Sequence, residues 1–369
     1  MLKDFLLSQA TGRDDNEILS LKFHPAEQIL LATDVSGCVH FCLFDLDDKI
    51  CSLPEGMDKK LFKPHKEESC RTLDLTTSSG EGGCSIVTGG ADGRVVISSF
   101  DPKVISKYKF EEAINIVKAV DENLVIAGDD EGVLIGIDVR AKKKVFNIHE
   151  QEDYISSITF GSTDSPLKSV ICTSGDCTLA VYDLRSMSSS EEKKRKDRLV
   201  AMSDQQEDEL NCAVVMNSEQ HLLTGDANGV VGIWKQGYWG DLKDRIPLYT
   251  KSETPQGRMD GSHSIDVIRV VSDKEFLTAT SDGVIRVMQM FPNGVKRIIG
   301  VHRNADDSEI ATVSGFDCEV DLGIVASTAG DAQGRIKFWA LSQSSESEKP
   351  PTQKTNADKA NKQSFFSDL

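Results

Sequence analysis

The residues of this 369-residue chain that could do chemistry are its 7 histidines, 9 cysteines and 59 carboxylates, and their spacing speaks against catalysis. A zinc site needs thiolates and imidazoles at short, regular separations. The cysteines, among them Cys38, Cys42, Cys172 and Cys212, are scattered through apolar runs without CxxC spacing. They read as buried small hydrophobes in a reducing compartment. His24 stands beside Pro25 in a turn with no second ligand at metal spacing, so it is read as structural. GEGGC at 80–84 and GGADG at 89–93 are glycine-rich, but a phosphate cradle follows a strand and opens a helix, and neither does. There is no GxSxG, HExxH or GxxxxGK. No catalytic residue, cofactor or metal is expected. A hydrolase reading needs carboxylates converging on a bound metal.

The remaining chemistry is that of recognition. GYWGDLKDR at 237–245 sets Tyr238 and Trp239 near Arg245, the residue types that carry binding energy when buried against a partner. The other outcome is that Trp239 packs beneath its own loop. Phe365 and Phe366 end a polar stretch and form either a docking motif or a pair that tucks onto the fold. Lys193, Lys194, Arg195 and Lys196 lie in a charged low-complexity segment, expected as a loop over 186–207. They are a nuclear import signal, an RNA-touching patch or a merely solvated run.

What positions these residues is a repeated unit. HSIDVIRVVSDKEFLTATSDGVIRVMQMF at 263–291 alternates apolar and polar residues across two turns, the pattern of three short antiparallel strands. Its second corner, Asp282-Gly283, supplies the positive φ of a tight hairpin. Equivalent corners occur at Gly37, Gly93, Gly132, Cys177, Gly229 and Gly334. They recur every 40 to 55 residues or so, at or above the roughly 40 to 45 of a four-stranded propeller blade. Such a unit cannot bury both faces alone and must stack on copies of itself.

This pattern resembles the WD-repeat family. The resemblance implies an all-β, seven-bladed β-propeller over 1–341, with blade cores at 18–46, 65–101, 113–140, 149–185, 208–237, 263–293 and 302–341. The strand position that names the family holds Tyr182, Trp234 and Trp339, but Cys42, Ser98, Ile137 and Met288 elsewhere. Histidines at 65, 149, 263 and 302 precede innermost strands. The resemblance implies a structural hydrogen-bond network for His263 with Asp282 and for His302 with Trp339. The last unit lacks an outer strand, and the apolar segment 2–9 is expected to supply it and close the ring. Residues 342–369 have the composition of a disordered tail ending in FFSDL.

The net charge of −17 disfavours direct binding of nucleic acid, whose nonspecific affinity comes from Lys and Arg neutralising phosphates. No run reaches the 18 apolar residues of a membrane helix, and the start does not read as a secretory signal. GDDEGVLIGIDVR at 128–140, HEQEDYIS at 149–156, the 237–245 insertion, SDGVIRVMQMFPN at 281–293 and FFSDL follow in an order that resembles one family. It is that of WD repeat-containing protein 55 and the fungal Jip proteins. This resemblance implies a monomeric nuclear and nucleolar scaffold whose partners are pre-ribosomal assembly factors, in rRNA processing and large-subunit assembly. A rival resemblance lies in Asp138-Val139-Arg140 and Asp183-Leu184-Arg185, the Asp-x-Arg strand ends of cullin-type ubiquitin-ligase substrate receptors. Arg140 and Arg185 could instead pair with a neighbouring blade.

Overall fold

The computed structural model of the protein describes residues 5–6, 17–46, 50–52, 62–66, 68–76, 84–185, 198–216, 221–248, 263–303, 311–330 and 333–341. They form seven four-stranded antiparallel sheets. Each of the first six is built of consecutive strands. They run from Ile18–Phe23 to Ile50–Ser52, Cys70–Leu75 to Lys103–Lys109, Ile114–Ala119 to Lys143–His149, Ile155–Phe160 to Leu199–Met202, Leu210–Val215 to Asp244–Pro247, and Ile265–Val270 to Gly294–Val301. The first strands of successive sheets touch one another in a closed cycle and so line the axis of the ring. The chain is a seven-bladed β-propeller.

The seventh blade carries Val313–Glu319, Ile324–Ala329 and Arg335–Ala340, and its fourth strand is Phe5–Leu6, with Phe5 opposite Ile336. The N-terminal segment therefore closes the ring. All seven corners adopt positive φ, from 61° to 84°. Six use glycine. At Gly37 the need is double, because a Cβ would also stand 1.9 Å from the His65 carbonyl oxygen. The seventh is Cys177, at φ 68°.

Apolar side chains pack in seven clusters, each between two neighbouring blades, so no blade has a private core. Cys42, Ser98, Ile137, Tyr182, Trp234 and Met288 are all buried at the equivalent third-strand position. Degeneracy at the named aromatic position is thus filled by other side chains. Each inner strand also carries a register shift after its first residue. Such a bulge re-aims the second side chain. Ser156 there donates to the Leu210 carbonyl and Ser314 to that of Ile18 at 2.7 Å, both in the next blade.

Two expectations on extent need correction. The segment 186–207 was expected as a loop throughout, but Leu199–Met202 pairs with Leu179–Tyr182 as the outer strand of blade 4. The expected cores also stop short of most outer strands, and His149, assigned to blade 4, ends the outer strand of blade 3. The expected tail, 342–369, lies outside the described residues.

Candidate interaction surface

Strands alternate in direction, so the turn after the first strand and the loop after the third emerge on one face of the ring. The corners and the links between blades emerge on the other. The first of these faces holds the recognition residues of blades 5 to 7.

In blade 5 the third strand, Val230–Lys235, ends in a turn where the Tyr238 amide donates to the Lys235 carbonyl at 2.9 Å. Gly237 takes φ 83° within it. The turn tips Tyr238 outward, 68 % exposed, with Lys235 Nζ 4.8 Å from its ring centre. Trp239 goes the other way. It is 7 % exposed and packs with Trp234, Leu210 and Leu222, so it is a core residue rather than a partner contact. The physical reason is the inter-blade apolar core beneath the loop, which gains more from an indole than solvent does. Arg245, on the outer strand, is exposed and pairs with Glu207 at 2.8 Å.

Blade 6 adds a residue that sequence reasoning passed over. Phe291, 59 % exposed at φ 55°, stands against His221 of blade 5 with ring centres 5.7 Å apart. A bulky residue at positive φ is an outlier that costs energy, and such strain clusters at functional sites. Its signal was the Phe-Pro-Asn turn between two strands. Asn293 donates to Asp244 at 2.9 Å, tying the two blades together at this seam. Burial lowers the His221 pKa, and Lys243 and Lys235 lower it further. Val320 and Leu322, both 42 % exposed, continue the apolar character into the first turn of blade 7.

One of the two Asp-x-Arg strand ends is paired locally. Arg185 bonds Asp183 of its own strand end at 2.5 Å and, by that hydrogen bond, holds its carboxyl below the usual range. Asp138 accepts the Ala141 amide at 2.7 Å, and Arg140 is exposed. His302 Nε2 lies 2.6 Å from Ser327 Oγ, which accepts the Trp339 indole N–H at 2.7 Å. Asp282 is bound by Arg286 at 2.6 Å and by the Val284 amide at 3.0 Å, while His263 sits two residues before the inner strand of its blade. Blade 2 also carries a histidine network, in which His65 bridges Asp92 at 2.8 Å and Thr88 at 3.0 Å. His24 Nδ1 accepts the amides of Ala26 and Glu27, a turn cap. Lys193, Lys194, Arg195, Lys196, Phe365 and Phe366 lie outside the described residues.

Among the described residues, Asp34, Cys38 and His40 form the one group whose donor atoms lie close enough together, within 4.8 Å, to hold a metal. Their atoms already serve one another. Asp34 accepts the Cys38 amide at 2.8 Å and Ser36 Oγ at 2.9 Å, and contacts His40 Nε2 at 2.7 Å. Asp129 and Asp226 make the same corner bonds in blades 3 and 5 without a histidine. The carboxylate is therefore a corner cap that recurs with the repeat.

No family model matches the chain. It is 26 % identical over 324 residues to WD repeat-containing protein 55 of Arabidopsis thaliana, covering 87 % of this chain and 79 % of the relative. It is 29 % identical over 293 residues to WD repeat-containing protein JIP5 of Cryptococcus neoformans, covering 76 % and 70 %. The rat WD repeat-containing protein 55 is 26 % identical over 328 residues, covering 88 % and 74 %. The chain is a seven-bladed β-propeller similar to WD-repeat proteins. Its similarity to these WD-repeat proteins spans the ring rather than one blade. The propeller presents, on the face just described, a seam between blades 5 and 6 where Phe291 stands against His221 and Asn293 bonds Asp244.

Proposed function

We propose that this WD-repeat propeller is a non-enzymatic scaffold for proteins of ribosome production, acting in rRNA processing and large-subunit assembly in the nucleus and nucleolus. The observation that carries the scaffold reading is that Tyr238 and Phe291, in the loops after the third strands of blades 5 and 6, stand exposed on one face of the ring. Side chains held out by a packed ring lose little entropy on binding, which favours association over chemistry. The ribosomal part rests on the likeness to WD repeat-containing protein 55 and JIP5 and on what that family resemblance implies. The partners it implies are pre-ribosomal assembly factors.

The test is affinity purification of the tagged full chain from nuclear extract, with sedimentation of the same extract. Recovery of assembly factors that co-sediment with large-subunit precursors, reduced by Tyr238→Ala with Phe291→Ala, is the expected result. Recovery of a ubiquitin-ligase adaptor without ribosomal precursors, lost on Arg140→Glu with Arg185→Glu, refutes it.

A further inference from the structure

The fifth residue of each inner strand forms one layer around the axis. In blade order it is Lys22, Asp74, Lys118, Thr159, Val214, Arg269 and Asp317. The charged members are consecutive around the ring, and their signs alternate from Arg269 through Asp317, Lys22 and Asp74 to Lys118. Arg269 Nε lies 3.0 Å from Asp317, and Asp74 lies 3.6 Å from Lys22 Nζ and 3.3 Å from Lys118 Nζ.

The two signs are placed differently. The carboxylate side chains are 9 % and 7 % exposed, and each also accepts an amide of the next blade, Ala119 at 3.1 Å and Phe23 at 2.9 Å. The acids are thus tied into the wall. The cations keep 27 %, 33 % and 36 % exposure at Lys22, Lys118 and Arg269. Three cations face two acids in this layer, and Thr159 and Val214 leave the arc between Lys118 and Arg269 uncharged. Asp74 raises the Lys118 pKa, but burial and the charges of Lys22 and Arg269 outweigh it, and the net shift is downward. One step toward the corners, the bulged layer adds Arg71, bound to Asp130 at 2.9 Å, and Asp266, bonded to Ser264 at 2.6 Å. Ties between blades need no surplus of cations. Within the layer the cations outnumber the acids by one and keep part of their surface in solvent, in a protein that is otherwise strongly acidic, and the bulged layer offsets this with Asp266, whose carboxyl burial pushes up to about 6.

We propose that the axial channel is a binding site for a small phosphate-bearing anion, held by Lys22, Lys118 and Arg269. The Arg269 guanidinium already gives Nε to Asp317 and one N–H each to the Ile268 and Phe316 carbonyls, which leaves one N–H on each Nη for phosphate oxygens, and the ammonium groups offer point charges to the others. The anion relieves the mutual repulsion of the cations without displacing Asp74 or Asp317 from the backbone amides they hold.

The experiment is calorimetric titration of the full chain with inorganic phosphate and, separately, with a sugar phosphate, at ionic strength held constant with chloride. Saturable binding is expected, weakened about tenfold or more by Lys118→Gln, which corresponds to loss of one charge-assisted contact. Asp74→Asn keeps an acceptor for the Ala119 amide while freeing two cations from their shared acid, and is expected to tighten binding. Equal affinity for the probes identifies the free ion, and preference for the sugar phosphate identifies an ester. Circular dichroism checks each variant, and Arg269→Lys, which keeps the charge and loses the fork, is the second weakening variant if Lys118→Gln does not fold. No saturable heat with either probe overturns the proposal. So does equal binding by wild type and the weakening variant, or the same weakening from Lys296→Gln on the outer surface. Binding of a glutamate-rich peptide with neither phosphate probe also overturns it, and makes the layer a seat for a partner's side chain.

Discussion

Tyr238 and Trp239 are neighbours in sequence with opposite surroundings, and alanine at each position should separate stability from recognition. An indole buries on the order of 200 Å². With Trp239 7 % exposed, almost all of that is withdrawn from water. At about 25 cal/mol per Å², its removal costs roughly 5 kcal/mol, or about 3 to 4 once a compact denatured state is allowed for. Large-to-small changes at buried tryptophans fall in the same range, near 3 to 5 kcal/mol. With an unfolding entropy of about 2 cal/mol/K per residue, a ring of this size should lose on the order of 5 °C in Tm. Tyr238→Ala removes an exposed ring and one cation–π contact, at most about 1 kcal/mol and 1 to 2 °C. Differential scanning calorimetry of the two variants measures both, and recovery of partners from extract gives the second readout. The expected pattern is a low-melting Trp239→Ala, and a Tyr238→Ala of near-normal Tm with reduced partner recovery. If Trp239→Ala melts with the wild type, or Tyr238→Ala falls as far, the assignment of one ring to the core and the other to the surface is refuted.

Deleting residues 1–10 removes the outer strand of blade 7 and should lower Tm by several degrees in the same calorimeter, and an unchanged curve counts against ring closure. Burial pushes the pKa of His302 down to about 3, with Lys337 and Arg335 adding to the shift. The folded value lies below the ordinary 6.5, so this stabilisation is complete above pH 6.5 and is lost on acidification toward 3, at about 1.4 kcal/mol per pH unit. Urea midpoints between pH 7 and 4 should therefore fall less steeply in His302→Gln, by one proton, and an identical slope refutes the assignment. At the Cys177 corner, positive φ costs about 1 to 2 kcal/mol for a side chain, against roughly 0.5 to 1 of extra chain entropy for glycine. Thermal melts should rank Cys177→Gly at or above wild type and Cys177→Val below it, and a Val variant as stable as Gly contradicts the strain.

The corners made the fold legible. Asp-Gly and its variants need positive φ wherever they occur, and a blade's second and third strands are anchored to them, so these strands could be placed from sequence. The outer strands lack that anchor. KKVFNIH at 143–149 and LVAM at 199–202 have one face in solvent and follow loops of unequal length, so their alternation is weak. The polar composition before Leu199 hid the second of them. Within the 237–245 insertion, the sequence named the right residue types and left open which aromatic turned inward, because that is set by the pocket between Trp234 and Leu242. Phe291 was overlooked for a similar reason, since its exposure follows from a backbone angle rather than from its neighbours in the chain. The axial charges are evenly spaced once the inner strands are aligned, but only the closed ring shows that their fifth positions meet.

Pairing of Phe5 with Ile336 also sets an order of events during synthesis. Six blades can be completed as their consecutive strands leave the ribosome, whereas the Phe5–Leu6 strand waits for a partner about 330 residues later, roughly twenty seconds to a minute at ordinary elongation rates. Through that interval the third strand of blade 7 does not yet exist, and after it appears its free edge can accept the same segment from another copy. Closure within one chain wins when the local concentration of its own segment exceeds that of neighbouring nascent chains. High translational density on one message thus favours exchanged rings, in which each copy's seventh blade is finished by the other.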